Sequence, residues 1–582
     1  MLIRPPSALR GALRGALMGF GSLIVAGMVV APTSASTGED HTVSLSGNFL
    51  AGHIAQKRRD LPAAAKFWGR ALEQDSEDPN LTRRAFLYAV MNADIDRAMD
   101  LAEKFVSLEE KGPISNLALA LRDAKAGDWD KVEARMSTLD GTGLNSFTKP
   151  ALLGWAAYAQ SGLEAGLAGL KPLRELGGAR ALHDLHAGLM NELSGKLAAA
   201  ETYYLSVAED DAGASLRSAR VLGTLYERQG KFTEAKAAYE LYLQEQPNSQ
   251  FVDLDLARVA QGGTPPQLIQ NAQEGVAEAL FGIASSLNRQ GGYETSLVLG
   301  QLALHIRPDF PVMQYMLGGI LEQLDRNADA IAMYKRLPDD SPFGATAKIR
   351  IANNLDIIER EDEAIVILKA AAAARPNDPR PKTNLGDVLR RMEKWEESAA
   401  AYDLAVERMG ELQPQDWQIL YTRGIVLERA KKWDRAEKDF LKALELFPDQ
   451  PLVLNYLGYS WVEKGLHLDR ALEMIKTAVK KRPHDGYITD SLGWVYYKLG
   501  RYQEAVPELE RAVELRPEDP IINDHLGDAY WRVGRKLEAT FQWNHSLVLG
   551  AEPELQEVLH QKLKHGLVGN ADAVTKSTTD GG

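Results

Sequence analysis

A leucine-glycine pair returns along the C-terminal half of this chain at a nearly constant stride. It stands in "NDHLGDAYWRVGR" (Asn523 to Arg535), in "TDSLGWVYYKLGR" and in "LNYLGYSWVEKG". Counting back from Gly527 gives Gly493, Gly458, Gly424, Gly386, Ala352, Gly318 and Ala284, at intervals of 34, 35, 34, 38, 34, 34 and 34. Twelve residues beyond most of these positions stands another small residue: Ala539, Ala505, Ala436, Ser398, Ala364, Ala330 and Ser296, with Ala471 displaced by one. Pro517, Pro483, Pro448, Pro376 and Pro308 punctuate the units.

Two small residues at this spacing let a pair of antiparallel helices approach closely, and larger side chains such as Leu389, Leu427, Tyr496 and Tyr530 fill the gaps between them. Proline cannot continue a helix, so it closes the second helix and passes the chain to the next pair. One pair cannot bury its apolar face, whereas a stack makes a continuous core. The pattern resembles the tetratricopeptide repeat, with its period of about 34 residues. That resemblance implies an all-α fold, a right-handed superhelical solenoid of about 14 antiparallel helix pairs.

The N-terminal half keeps the phase with a weaker consensus, through Gly52, Phe86, Ala120, Gly154, Gly188 and Gly223. Phase is lost after Pro247, and "AQGGTPPQL" (Ala260 to Leu268) is rich in breakers. Either a joint separates two superhelical arms here, or a degenerate pair interrupts one array. The expected organisation is a signal peptide at 1–35, an N-terminal array at 36–256, an irregular joint at 257–280, a C-terminal array at 281–560 and a flexible tail at 561–582.

The signal is read from Arg4, Arg10 and Arg14, the apolar run Ala16 to Val30, and small residues before a polar stretch. Cleavage would leave a periplasmic protein with no transmembrane span. The chain has no cysteine, which excludes thiol catalysis, thiolate metal sites and the cysteine-anchored lipoprotein route. A net charge of −13 opposes non-specific binding to nucleic acid, which depends on neutralising phosphates. No nucleophile elbow, zinc-protease helix or phosphate loop occurs. "HDLH" (His183 to His186) lacks further ligands nearby, and His484 and Asp485 stand where one repeat turns into the next. The expectation is a non-enzyme with no cofactor and no metal.

In tetratricopeptide proteins the first helix of each pair lines the inner wall. With the recurring glycine as position 8, positions 2, 5, 9, 12 and 13 face the groove in that family. Carried onto the last four units, this register selects Tyr421, Asn455, Tyr459, Asp490, Trp494, Tyr497, Asp524, Asp528, Trp531 and Arg532 as a protein-binding groove. It reads as an aromatic wall edged with acid, suited to a partner with apolar and basic groups, since Trp, Tyr and Arg dominate binding hot spots. Packing of these rings against the next repeat is the competing reading. Trp68, Trp461 and Trp543 fall at packing positions instead.

"DWQILYTRGIVLERAKKWDRAEKDFLKALELFPDQPLVLNYLGYSW", "RPHDGYITDSLGWVYYKLGRYQEAVPELERAVELRPEDP" and "NDHLGDAYWRVGR" resemble the long tetratricopeptide proteins of proteobacterial envelopes. The best understood of these are outer-membrane lipoproteins that bring peptidoglycan hydrolases to a carboxy-terminal processing protease. The resemblance implies a scaffold or adaptor for protein partners. The missing lipidation cysteine departs from that pattern. An assembly component of an envelope export or exopolysaccharide system is the alternative, and an unrecognised enzyme the remote one.

Overall fold

The computed structural model describes residues 44–108, 112–210 and 215–567. The signal expected at 1–35 and most of the expected tail lie outside them. Thirty α-helices and no strand occur among the described residues, and consecutive helices pack in pairs. None of these helices is long and apolar enough to cross a membrane.

The recurring glycine has one steric cause throughout. Each faces a large side chain sixteen or seventeen residues later on the second helix of its own pair. Cβ atoms added at Gly188, Gly223, Gly318 and Gly527 would lie 2.4, 2.3, 2.4 and 2.5 Å from the rings of Tyr204, Tyr239, Tyr334 and Trp543. The small residue twelve on completes the contact: Ser398 donates its hydroxyl to the Gly386 carbonyl at 2.8 Å, and Ser296 to that of Ala284 at 3.0 Å. Leu389, Leu427, Tyr496 and Tyr530 are buried between the helices, as the spacing predicts.

The residue seven beyond the recurring position ends the first helix in the left-handed conformation. Gly500 has φ +73°, and its amide and that of Arg501 donate to the carbonyls of Tyr497 and Tyr496. This exchange of end bonds is the helix-terminating motif that glycine favours. Six repeats place another residue there, namely Arg59, Ala93, Asp325, Glu359, Glu393 and Lys431, all with φ near +60°.

The described chain divides into two compact units, one ending at Ala371 and one beginning at Ala372. Of residues 257–280, read as an irregular joint, 257–260 end the short helix Asp253–Ala260, 261–271 are irregular, and 272–280 are already the first half of helix Ala272–Arg289. Arg228 and Arg307 hold the irregular backbone by donating to the carbonyls of Pro266 and Leu268, at 3.0 and 3.2 Å. The next helix pair does not extend the stack. Helix Ala272–Arg289 packs on the first helices Asn145–Ser161 and Arg180–Leu193, while helix Tyr293–Ile306 packs on Pro79–Met91 and Pro113–Ala126. Gly275 meets the Trp155 ring, and Arg307 reaches Glu278 at 3.3 Å. Farther along, Arg326 donates to the Met91 carbonyl and to Asn92 at 3.2 and 2.9 Å. Between Ser296 and Leu304 every residue of the second inserted helix is buried, as expected of a helix enclosed on all sides. This hairpin lies across the first helices of earlier repeats, which explains why the unit runs on past the phase break.

In the C-terminal unit the stacking is regular. First helices of neighbouring pairs touch: Pro451–Glu463 packs on Gly486–Lys498, which packs on Pro520–Arg532. Second helices make no comparable contact among the described residues, so the first helices lie on the inside of the curve. A further helix, Pro553–His565, caps the last pair.

Candidate functional site

The inner face of the C-terminal unit is built from the first helices, each started by a local signal. Asp485 caps helix Gly486–Lys498 by accepting from the amides of Tyr487 and Ile488 at 3.1 and 3.3 Å, and Asp519 caps Pro520–Arg532 in the same way. Asp485 is thus a helix cap, as its place at a repeat junction suggests. Each helix brings its groove positions to one side through the 3.6-residue turn.

The ten selected residues divide by what they touch. Tyr421 is buried among Trp417, Phe440 and Tyr456 and belongs to the core. Asn455 and Tyr459 are half-buried on helix Pro451–Glu463. The Asn455 side-chain oxygen is shielded from water and accepts no hydrogen bond. Burial, then Glu463 and Asp490, push the Tyr459 hydroxyl well above its ordinary pKa. Beside them lies a ring stack: the Trp494 ring is 4.8 Å from Tyr497 and 3.9 Å from His525, nearly parallel to both. The Trp494 indole donates to Glu463 at 2.9 Å, and Arg532 donates to the Tyr497 hydroxyl at 3.3 Å. Trp494 and Tyr497 remain half-buried, so their outer faces form the rim of the groove.

The expected acid edge is engaged within the fold. Lys562 of the capping helix donates to Asp524 at 2.7 and 2.8 Å and to Asp528 at 2.8 Å. Asp528 also accepts from the buried Trp543 indole at 3.0 Å. Asp490 accepts from His525 at 2.9 Å. All three carboxylates are buried. Trp531 packs 5.2 Å from Trp543, and a Cβ at Gly566 after the capping helix would meet its ring. The last repeat therefore presents a closed end. Of the selected residues on the two repeats before it, Asn455, Tyr459, Trp494 and Tyr497 keep partly exposed side chains, whereas Asp490 is buried.

The electrostatics of that end follow from burial. Burial first, and then Asp524, push the Asp528 carboxyl up to about 6 against the opposing pull of Lys562. Burial lowers the His525 imidazole, but Asp490 and the neighbouring carboxylates outweigh it and leave the group above its ordinary value.

Sequence reasoning missed two features. Arg390 and Arg391 hold the same register as Trp531 and Arg532, one repeat before the four considered, and Arg390 lies 3.9 Å from Asp387. Lys562 follows the last repeat and falls outside the periodic pattern altogether. The histidines of "HDLH" are interior. Trp155 donates to His186 Nδ1 at 3.1 Å, and His183 pairs with Asp184 at 2.7 Å. Among the described residues no group of three or more His, Asp or Glu side chains is placed to hold a metal.

The fold and its inner face define a class, the helical-repeat proteins. Family models agree on which: one described as "Tetratricopeptide repeat" matches residues 194–250 and 383–451, and one described as "TPR repeat" matches 493–534. Those stretches are tetratricopeptide repeats, and the pairing on either side of them continues the same architecture.

Similar curated proteins include "TPR repeat-containing protein PA4667" of Pseudomonas aeruginosa, 27% identical over 192 residues, which cover 33% of this chain and 32% of that one. "BBSome complex member BBS4" of Bos taurus is 31% identical over 131 residues, covering 22% and 25%. The chain thus spans about a third and a quarter of these relatives. Among solved structures, "APC/C hetero-tetramer Cut9-Hcn1" is 15% identical and covers 90% of this chain and 96% of that one, with a TM-score of 0.37.

Proposed function

We propose that this protein is a non-catalytic scaffold that binds protein partners on the inner face of its C-terminal unit. The observation that carries the reading is the centre of that face. There Tyr459 and the stacked rings of Trp494 and Tyr497 stand half-buried on successive first helices, with apolar surface left open to a docked segment. Half-buried aromatic rings at the rim supply the apolar contact that interface anchors provide. The engaged carboxylates change the expected partner chemistry. The acidic end is neutralised from within, so an apolar segment with hydrogen-bond donors fits better than a strongly basic one.

In its sharper form the scaffold is periplasmic and gathers cell-wall hydrolases for a carboxy-terminal processing protease. The resemblance of residues 416–461 and 482–535 to envelope adaptors supports this form. Bringing two partners onto one rigid array raises their local concentration without any bond-making step.

The test is an envelope pull-down comparing the unaltered chain with Tyr459→Ala plus Trp494→Ala. Trp531→Ala is unsuitable, because that ring packs against the cap. Loss of a specific protease or hydrolase partner, with helical circular dichroism retained, is the expected result. Unchanged recovery of partners by the folded double variant contradicts the groove.

A further inference from the structure

Helix Lys536–Val548, the second helix of the last pair, carries an apolar stripe on the side away from the core. Leu537, Phe541 and Val548 are 83%, 66% and 82% exposed, with Asn544 between them on the same face. The opposite face is committed to the interior through the fully buried Trp543 and Ser546. In the same register the two preceding second helices expose Gln503, Pro507 and Glu514, and Asp469, Glu473 and Lys480. In those two helices the matching positions are polar apart from Pro507, and in the last pair they turn to large apolar side chains. Packing within the unit does not require that change, and exposed apolar side chains gathered on one helix face suit an interaction surface.

We propose that the stripe is a self-association surface, on which the same helix of a second copy lies antiparallel. The spacing is its own reverse: Leu537, Phe541, Asn544 and Val548 are separated by 4, 3 and 4 residues. Antiparallel pairing therefore sets Leu537 against the other copy's Val548 position and Phe541 against its Asn544 position, in the manner of a short coiled-coil seam. Charge supports the same direction. Arg535 and exposed Lys536 outweigh exposed Glu538 at the start of the helix, and exposed Glu552 and Glu554 follow its end. Antiparallel pairing brings these unlike charges together, whereas parallel pairing aligns like charges. A two-fold contact of this kind is the commonest way identical chains associate.

An anionic bilayer fits less well, because Glu538, Glu552 and Glu554 flank the stripe and no basic rim surrounds it. Three apolar side chains fall short of the roughly 800 Å² per partner of a standard interface. The association is accordingly weak and depends on concentration.

The chain has no cysteine, which allows a directional test. Under mild oxidation the full chain carrying both Leu537→Cys and Val548→Cys forms a covalent dimer. So does an equimolar mixture of the two single variants, whereas neither single variant does alone. Sedimentation velocity of the cysteine-free chain shows a shift toward dimer as concentration rises, and Phe541→Lys plus Val548→Lys abolishes it. The proposal is overturned if the cysteine-free chain stays monomeric at every concentration, or if the lysine variant still dimerises. Single-cysteine variants that cross-link as well as the mixture overturn the antiparallel arrangement. Binding of the monomer to phosphatidylglycerol vesicles, lost in the lysine variant, assigns the stripe to lipid instead.

Discussion

The two units share one repeat but treat its inner face differently. In the N-terminal unit a helix pair of the same chain, residues 272–306, lies across the first helices of four earlier pairs. Among the described residues of the C-terminal unit no helix pair takes that place, and the last repeat alone is covered, by its capping helix. Repetition therefore supplies a wall, and what the chain lays on that wall decides whether it becomes core or docking surface. The units also oppose each other in charge chemistry. His186 is buried, and that burial, with Arg217 and His183 nearby, pushes it down to about 3. His525 and Asp528 are shifted upward.

The strongest way to break the comparison is to expose what each unit covers. Lys562→Met leaves Asp524 and Asp528 facing each other without a cation, at a cost of about 3–5 kcal/mol. Hydrogen exchange should rise across residues 520–565 and remain unchanged in the N-terminal unit. Gly275→Leu drives a side chain into the Trp155 ring, and overpacking of this kind costs about 1–3 kcal/mol. Faster exchange is then expected over residues 145–193 and 272–306, and protection there equal to that of the unaltered chain argues against a packed hairpin.

Acidity separates the units with opposite signs. The folded His186 sits below the ordinary value, so its contribution is present above about 6.5 and is lost as pH falls toward 3. The folded Asp528 and His525 sit above theirs, so their contribution is present at low pH and is lost as pH rises through 6 and beyond. Lowering pH from 7.5 to 5.5 should increase protection at residues 520–565 and decrease it around residues 180–193. Asp528→Asn, which keeps the acceptor for Trp543, should flatten the first response. The smallest effect concerns the helix ends. Glu393→Gly and Lys431→Gly relieve a left-handed conformation that costs other residues about 1–2 kcal/mol. Each should raise the melting temperature, whereas Gly500→Ala should lower it.

Much of this was legible in the sequence, because steric rules repeat with the chain. Gly527 and Trp543, sixteen residues apart, encode a helix pair locally, and so do Asp485 and Pro517 at the helix boundaries. The inserted hairpin was not legible by phase alone. Its position depends on contacts between residues 79–193 and 272–306, which no local spacing records, although the run from Leu297 to Ile306, apolar except at Gln301 and His305, carried a hint of full enclosure. Register put Asn455, Tyr459, Trp494 and Tyr497 together on first helices, where their side chains are half-buried. Register could not show that Tyr421 turns into the core, nor that Lys562 reaches back over Asp524 and Asp528. A periodic pattern ranks positions and is silent about what comes after the last period.

The central claim is that partners meet the chain at the inner face of the C-terminal unit and not at that of the N-terminal unit. A photo-reactive amino acid placed at Asn455, and separately at Arg83, its equivalent in an N-terminal repeat, tests this in living cells. The account predicts a discrete partner adduct from position 455 and none from position 83. An adduct from position 83 with none from position 455 would contradict it.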